Sequence, residues 1–140
     1  MNDHHRQECP VILYVEDDQT TAQLFRIILA DLVESTRLFV VESRDAALRF
    51  LLRQDSCLDA PRPDLMVLDV SLPGESGLSL LEELRRTATL AAIPAVFFTN
   101  SDTWENRERA RSLGALKFLT KPASLTEFQH AVQEIRALVA

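Results

Sequence analysis

Five short apolar runs, Val11–Val15, Leu38–Val41, Leu65–Leu68, Ala95–Phe98 and Leu116–Leu119, alternate with stretches whose apolar residues recur every three or four positions. The cores of these runs are continuously apolar, as expected of strands covered on both faces of a parallel sheet. Their β-branched and aromatic residues, with Pro10, Pro63 and Pro94 just upstream, favour strands over buried pieces of helix. Strand and helix alternating five times imply right-handed crossovers and an α/β fold: a doubly wound parallel sheet with helices on both faces.

The helical stretches differ in how firmly they can be anchored. Leu125, Phe128, Val132, Ile135 and Leu138 form one stripe, and Ser124 with Glu127 makes a capping box before it. Leu78, Leu81 and Leu84 mark another helix, with Glu82 four residues before Arg86. Leu24, Ile28 and Leu32 mark the first, and Ala47, Leu48, Leu51 and Leu52 the second. From Thr103 to Leu113, Trp104, Ala110 and Leu113 are nearly the only apolar residues, while Arg107, Arg109 and Arg111 are expected to face mostly water. Asp102 and Glu105 can cap this helix, but packing holds it weakly, so it is a candidate for an element that moves. Gln54–Pro63 reads as a surface loop at the end of the sheet away from the strand C-termini.

At 140 residues there is room for one domain, and 46% apolar with 26% charged residues is ordinary globular composition. A net charge of -6 without a basic block argues against nucleic acid as a direct partner. No apolar run approaches the roughly 20 residues a membrane helix needs. Met1–Gln7 lacks the apolar stretch of a signal peptide, so no membrane and a cytoplasmic location are expected. Cys9 and Cys57 fit neither a disulfide framework nor a metal site. Residues 1–9, with His4 and His5, are expected to form a flexible N-terminus, and residues 10–140 one domain with no output domain after it.

In such sheets ligands bind beyond the carboxyl ends of the strands, where strand order reverses. Polar residues gather there: Glu16, Asp17 and Asp18 after the first run, Asp69 after the third, Thr99 after the fourth and Lys121 after the fifth. Converging carboxylates repel, so they take up protons or bind a cation. Oxygen donors without His or Cys select Mg²⁺ or a similar ion. Asp69 can serve as a nucleophile for phosphoryl groups. Lys121, a metal ion and the Thr99 hydroxyl can neutralise phosphoryl oxygens. Singly, each residue has a plainer reading: the acidic trio a helix start, Asp69 a turn opener, Lys121 a solubilising charge.

With VEDD at Val15–Asp18, LMVLDVSLPGESG at Leu65–Gly77, FFTNS at Phe97–Ser101 and KFLTKP at Lys117–Pro122, the chain resembles the receiver domains of two-component response regulators. The resemblance covers about Val11 to Val139 and implies five strands in the flavodoxin-like order 2-1-3-4-5. It implies Asp69 as phosphoacceptor, Asp17 as direct metal ligand and Glu16 as a ligand through water. Ser71 would give its backbone carbonyl to Mg²⁺, and Lys121 and Thr99 would attend the phosphoryl group. It further implies a cis Lys121–Pro122 bond, a Gly77 that opens the next helix, and an aromatic switch at Phe118. Many relatives carry Tyr at that place; Phe can swing inward but donates no hydrogen bond, and Asn100 is bulkier than the small residue usual beside the threonine. The long Gln54–Pro63 loop and TLAAIP at Thr89–Pro94 look like stand-alone regulators that partner bacterial phytochromes and related sensor kinases.

The expected function is therefore a single-domain switch, not an enzyme, that accepts a phosphoryl group from a histidine kinase or histidine phosphotransfer protein. Its output would come from docking through the Thr103–Leu113 helix, the last strand and the last helix, a face able to pair with itself or another protein. Three other functions share parts of this pattern. A haloacid-dehalogenase-like phosphatase needs an acid two residues past the nucleophile, where Ser71 stands. A flavodoxin-like flavin carrier would repel its phosphate at Glu16–Asp18. A binding module never phosphorylated at Asp69 leaves the full set of site residues without a job.

Overall fold

The computed structural model describes residues 9–139; His4, His5 and most of the expected N-terminal segment lie outside the described residues. Strands β1 (Val11–Val15), β2 (Arg37–Val41) and β3 (Leu65–Leu68) are followed by a hairpin of β4 (Ser71–Leu72) and β5 (Glu75–Ser76), then β6 (Ala95–Thr99) and β7 (Lys117–Thr120). Helices α1 (Gln19–Ala30), α2 (Arg44–Leu51), α3 (Gly77–Arg85), α4 (Trp104–Ser112) and α5 (Leu125–Ala137) connect them. The five main strands are all parallel, in the order β2-β1-β3-β6-β7, which is the flavodoxin-like 2-1-3-4-5 arrangement.

The sheet divides two apolar cores. On one face Phe25, Ile28 and Leu29 of α1 meet Phe128, Val132 and Ile135 of α5 over Ile12, Tyr14, Val67, Val96 and Phe98. On the other, Phe50 and Leu51 of α2, Leu80, Leu81 and Leu84 of α3 and Ala110 of α4 cover Leu13, Val15, Leu68 and Phe97. The central strands β1, β3 and β6 are buried throughout, which is why their runs show no alternation.

Each helix starts with a side-chain cap: Asp18 on Thr20, Ser43 on Ala46, Ser76 on Leu78, Thr103 on Asn106 and Ser124 on Glu127. Two expectations need correction here. Thr103, not Asp102, caps α4, because the Asp102 carboxylate is taken by the Arg107 guanidinium. The Lys121–Pro122 bond is trans, as are all peptide bonds among the described residues. A bond before proline keeps its trans preference unless the surrounding chain demands otherwise.

The Gln54–Pro63 loop contains a 3₁₀ turn at Asp55–Cys57. It leads into Asp64, whose carboxylate accepts from the Val11 N–H at the N-terminal edge of the sheet. Gly77 is required by a close approach: a Cβ there would fall 1.9 Å from the Asp69 carbonyl oxygen. Any side chain would push the loop after β3 off α3.

Candidate functional site

β1, β3, β6 and β7 deliver their last residues to one edge. Asp69, 5% exposed, follows β3. Its Oδ1 accepts from the Thr99 hydroxyl at 2.6 Å and from the Ser71 N–H at 3.0 Å. Its Oδ2 accepts from Lys121 Nζ at 2.7 Å. Thr99 closes β6 fully buried, and its Oγ1 in turn accepts from the Ser101 N–H. The β6–β7 ladder carries on past Thr120 through the Lys121 N–H on the Thr99 carbonyl (2.9 Å), which sets where the lysine stem leaves the sheet.

Lys121 Nζ also lies 2.7 Å from Glu16 Oε1, so one ammonium bridges two buried carboxylates. Burial alone would push the Lys121 pKa down; hydrogen bonds and charge from Asp69 and Glu16 outweigh it and hold the ammonium above its ordinary value. Glu16 is 1% exposed and is satisfied on both oxygens. Oε1 takes the Tyr14 hydroxyl at 3.0 Å besides Lys121, and Oε2 takes the Asp18 N–H at 3.0 Å.

The structure thus brings together Glu16, Asp69, Thr99, Lys121 and the Ser71 backbone. Asp17 stands exposed at the same strand end. Asp18 serves the helix: it caps α1 and accepts from the Thr21 hydroxyl, which keeps its carboxyl below the usual range. Phe118, half-buried, packs 5.8 Å from Phe97 with the Arg107 guanidinium 5.0 Å over its ring.

Three participants carry no mark in the sequence. Ser101 Oγ meets Ser71 Oγ at 2.8 Å, joining the loops after β3 and β6. The Thr120 hydroxyl donates to Asp102, which ties β7 to the loop before α4. Tyr14 reads as plain core, although it lies two residues before Glu16 and therefore on the same face of the strand.

Two buried carboxylates against one ammonium leave the pocket short of positive charge, and the donors present are all oxygen. That chemistry fits a hard divalent cation. Among the described residues no three acidic, His or Cys side chains stand together as a ready-made cage. An ion that retains most of its water and takes few protein ligands is the kind that suits such a site.

The profile of the response regulator receiver domain matches residues 12–133. The chain belongs to the response regulator receiver domain family. Such domains are generally the phosphoacceptor switches of two-component systems. Response regulator Rcp1 of Synechocystis sp. is 31% identical over 127 residues, covering 91% of this chain and 86% of Rcp1. The polar-differentiation response regulator DivK of Brucella anthropi is 28% identical over 122 residues, 87% of this chain and 92% of DivK. Among solved structures, the phosphorylated cyanobacterial phytochrome response regulator RcpA superposes with a TM-score of 0.87 at 27% identity, covering 94% of each chain. The Mn²⁺-bound form of Rcp1 gives 0.85 at 30% identity, covering 91% of this receiver domain and 92% of Rcp1. Among the described residues no helix is long and apolar enough to cross a membrane.

Proposed function

We propose that residues 10–140 act as a phospho-switch in which Asp69 takes a phosphoryl group from a phosphohistidine. The donor is a sensor histidine kinase or a histidine phosphotransfer protein. The observation that carries this reading is the convergence of the Thr99 hydroxyl, the Lys121 ammonium and the Ser71 N–H on one buried carboxylate.

An ionised Asp needs no base to attack. One Asp69 oxygen forms a bond to phosphorus as the N–P bond of phosphohistidine breaks. The imidazole nitrogen keeps the electron pair and takes up a proton. Lys121 and Thr99 then serve the transferred phosphoryl oxygens, where the charge is spread. Asp17, Asp69 and the Ser71 carbonyl would hold Mg²⁺, with Glu16 acting through water. The ion supplies the positive charge that one lysine leaves short. A manganese-bound relative supports a divalent cation here, and hard oxygen donors favour Mg²⁺.

Movement of Thr99 toward the phosphoryl group frees Phe118 to follow, and the face built from α4, β7 and α5 changes. That face pairs with a downstream protein or with a second copy. Complete switching needs a differential affinity of about 5.5 kcal/mol and partial switching less. Likeness to a regulator named for a phytochrome supports a kinase of that class as the donor.

Beryllium fluoride with Mg²⁺, which mimics a phosphoryl group on a carboxylate, should change the fluorescence of the single tryptophan, Trp104. The change should vanish in Asp69→Asn. A silent wild-type protein, or an undiminished response in the variant, contradicts the reading.

A further inference from the structure

Glu16 is a buried carboxylate whose orientation is set from two sides, and one of those sides is a tyrosine that the phosphoryl chemistry above does not use. Tyr14 is fully buried, and its hydroxyl donates to Glu16 Oε1 at 3.0 Å. The hydroxyl is placed by packing: the ring lies 4.5 Å from that of Phe25, Phe25 lies 6.1 Å from Phe98, and Phe98 meets Phe128 of α5 at 5.2 Å. A ring so enclosed cannot swing its oxygen elsewhere. The Asp18 N–H fixes the other oxygen of Glu16.

We propose that Tyr14 is a positioning residue: its hydroxyl holds Glu16 in the orientation in which the strand-end site binds a divalent cation. This rests on the reading of Asp69 as an Mg²⁺-dependent phosphoacceptor. A carboxylate acting through water contributes by direction more than by charge, so its orientation decides its worth. Glu16 has two partners on Oε1, Tyr14 and Lys121. Without the hydroxyl, Lys121 becomes the sole donor to that oxygen. Glu16 then turns onto the ammonium, away from the cation. A partner that merely orients a ligand-bearing group is worth roughly tenfold in metal affinity.

The test is calorimetric titration of Mg²⁺ into the full chain, alongside phosphorylation by acetyl phosphate across a range of Mg²⁺. Tyr14→Phe keeps the ring against Phe25 and removes only the hydroxyl. It should raise the Mg²⁺ dissociation constant by roughly tenfold and raise the Mg²⁺ needed for half-maximal phosphorylation equally. The rate at saturating Mg²⁺ should stay within about twofold. In a Glu16→Gln background the same substitution should add nothing, because the two residues act as one unit. Unchanged or tighter Mg²⁺ binding in Tyr14→Phe overturns the assignment, as does an equal loss in both backgrounds. Should Tyr14→Phe fail to fold, Glu16→Gln alone must weaken Mg²⁺ binding, and normal affinity in it overturns the assignment. A wild-type protein that binds no Mg²⁺ and accepts no phosphoryl group overturns the phosphoacceptor reading itself. A wild-type protein that does both, with Tyr14→Phe identical to it, overturns only the role of Tyr14.

Discussion

Glu16 and Asp69, both buried, each lie 2.7 Å from the same lysine nitrogen, and the Lys121 side chain is only 9% exposed. Removing one partner of a buried ion pair leaves an uncompensated charge, which costs about 3–5 kcal/mol. Lys121→Met should therefore lower folding stability by about 3 kcal/mol at neutral pH, read as a fall in the urea midpoint at unchanged slope. A loss below about 1 kcal/mol would mean the pair is screened like a surface contact. The positions of Asp69, Thr99 and Lys121 were legible because a parallel sheet sends every strand C-terminus to one edge, so residues far apart in sequence meet there. Tyr14 was not, since within a continuously apolar run nothing separates a core ring from one whose hydroxyl has a task. Ser101 was also hidden: no spacing rule brings the loop after β6 to Ser71.

α4 shows what a helix does without an apolar stripe. Ala110 is its sole buried residue among those described, and Trp104 at its start is 72% exposed. Polar ties take the place of packing. Arg107 pairs with Asp102 and covers the Phe118 ring, Thr120 donates to Asp102, and Asn106 donates to the Ser101 carbonyl. The hydrogen bonds from Arg107 and Thr120 hold the Asp102 carboxyl at about 2. A depressed pKa means this tie is at full strength above the ordinary carboxylate value of 3.8 and is lost as pH falls toward 2. Asp102→Ala should accelerate amide exchange across Trp104–Ser112 severalfold while α1 and α5 keep their protection. Equal protection in variant and wild type would show that α4 is held by its backbone neighbours instead. The weak anchoring was readable from composition, but not the ties, since Asp102 looked like a cap and β7 lies far along the chain. In α1 the spacing marked Leu24, Ile28 and Leu32, all of which pack on the core, Ile28 buried and the two leucines half-buried, but it did not mark Ala22, Phe25 and Leu29, which are buried there too. The apolar stripe is wider than that spacing, and its buried edge carries Phe25 to Tyr14 and Phe98. The β4–β5 hairpin escaped notice because its strands are two residues long and turn through Gly74 at φ +76°.

For the whole molecule, alkaline pH is the informative stress. The chain has one tyrosine and two lysines, Lys117 and Lys121, and its arginines stay charged far above pH 10. Burial first, then the charge and hydrogen bond of Glu16, raise the Tyr14 phenol well above its ordinary 10.0. Lys121 is likewise raised above 10.5. Groups with raised native pKa values give their full stabilisation below the unfolded values and lose it as pH climbs past them. Stability should hold to about pH 10 and then fall, and tyrosinate absorbance should appear only together with loss of helical circular dichroism. Tyrosinate forming near pH 10 with the fold intact would mean the ring reaches water. Glu16 and Asp69 fall two residues after Tyr14 and Val67, on the face of the α1–α5 core, and Thr99 falls two after Phe97, on the opposite face, so the chemistry at that edge is supported by both layers. The most direct measurement is tandem mass spectrometry of the protein after incubation with Mg²⁺ and acetyl phosphate. A single phosphoryl group on Asp69, absent in Asp69→Asn, is the predicted result; an unmodified chain, or a phosphoryl group on any other residue, contradicts it.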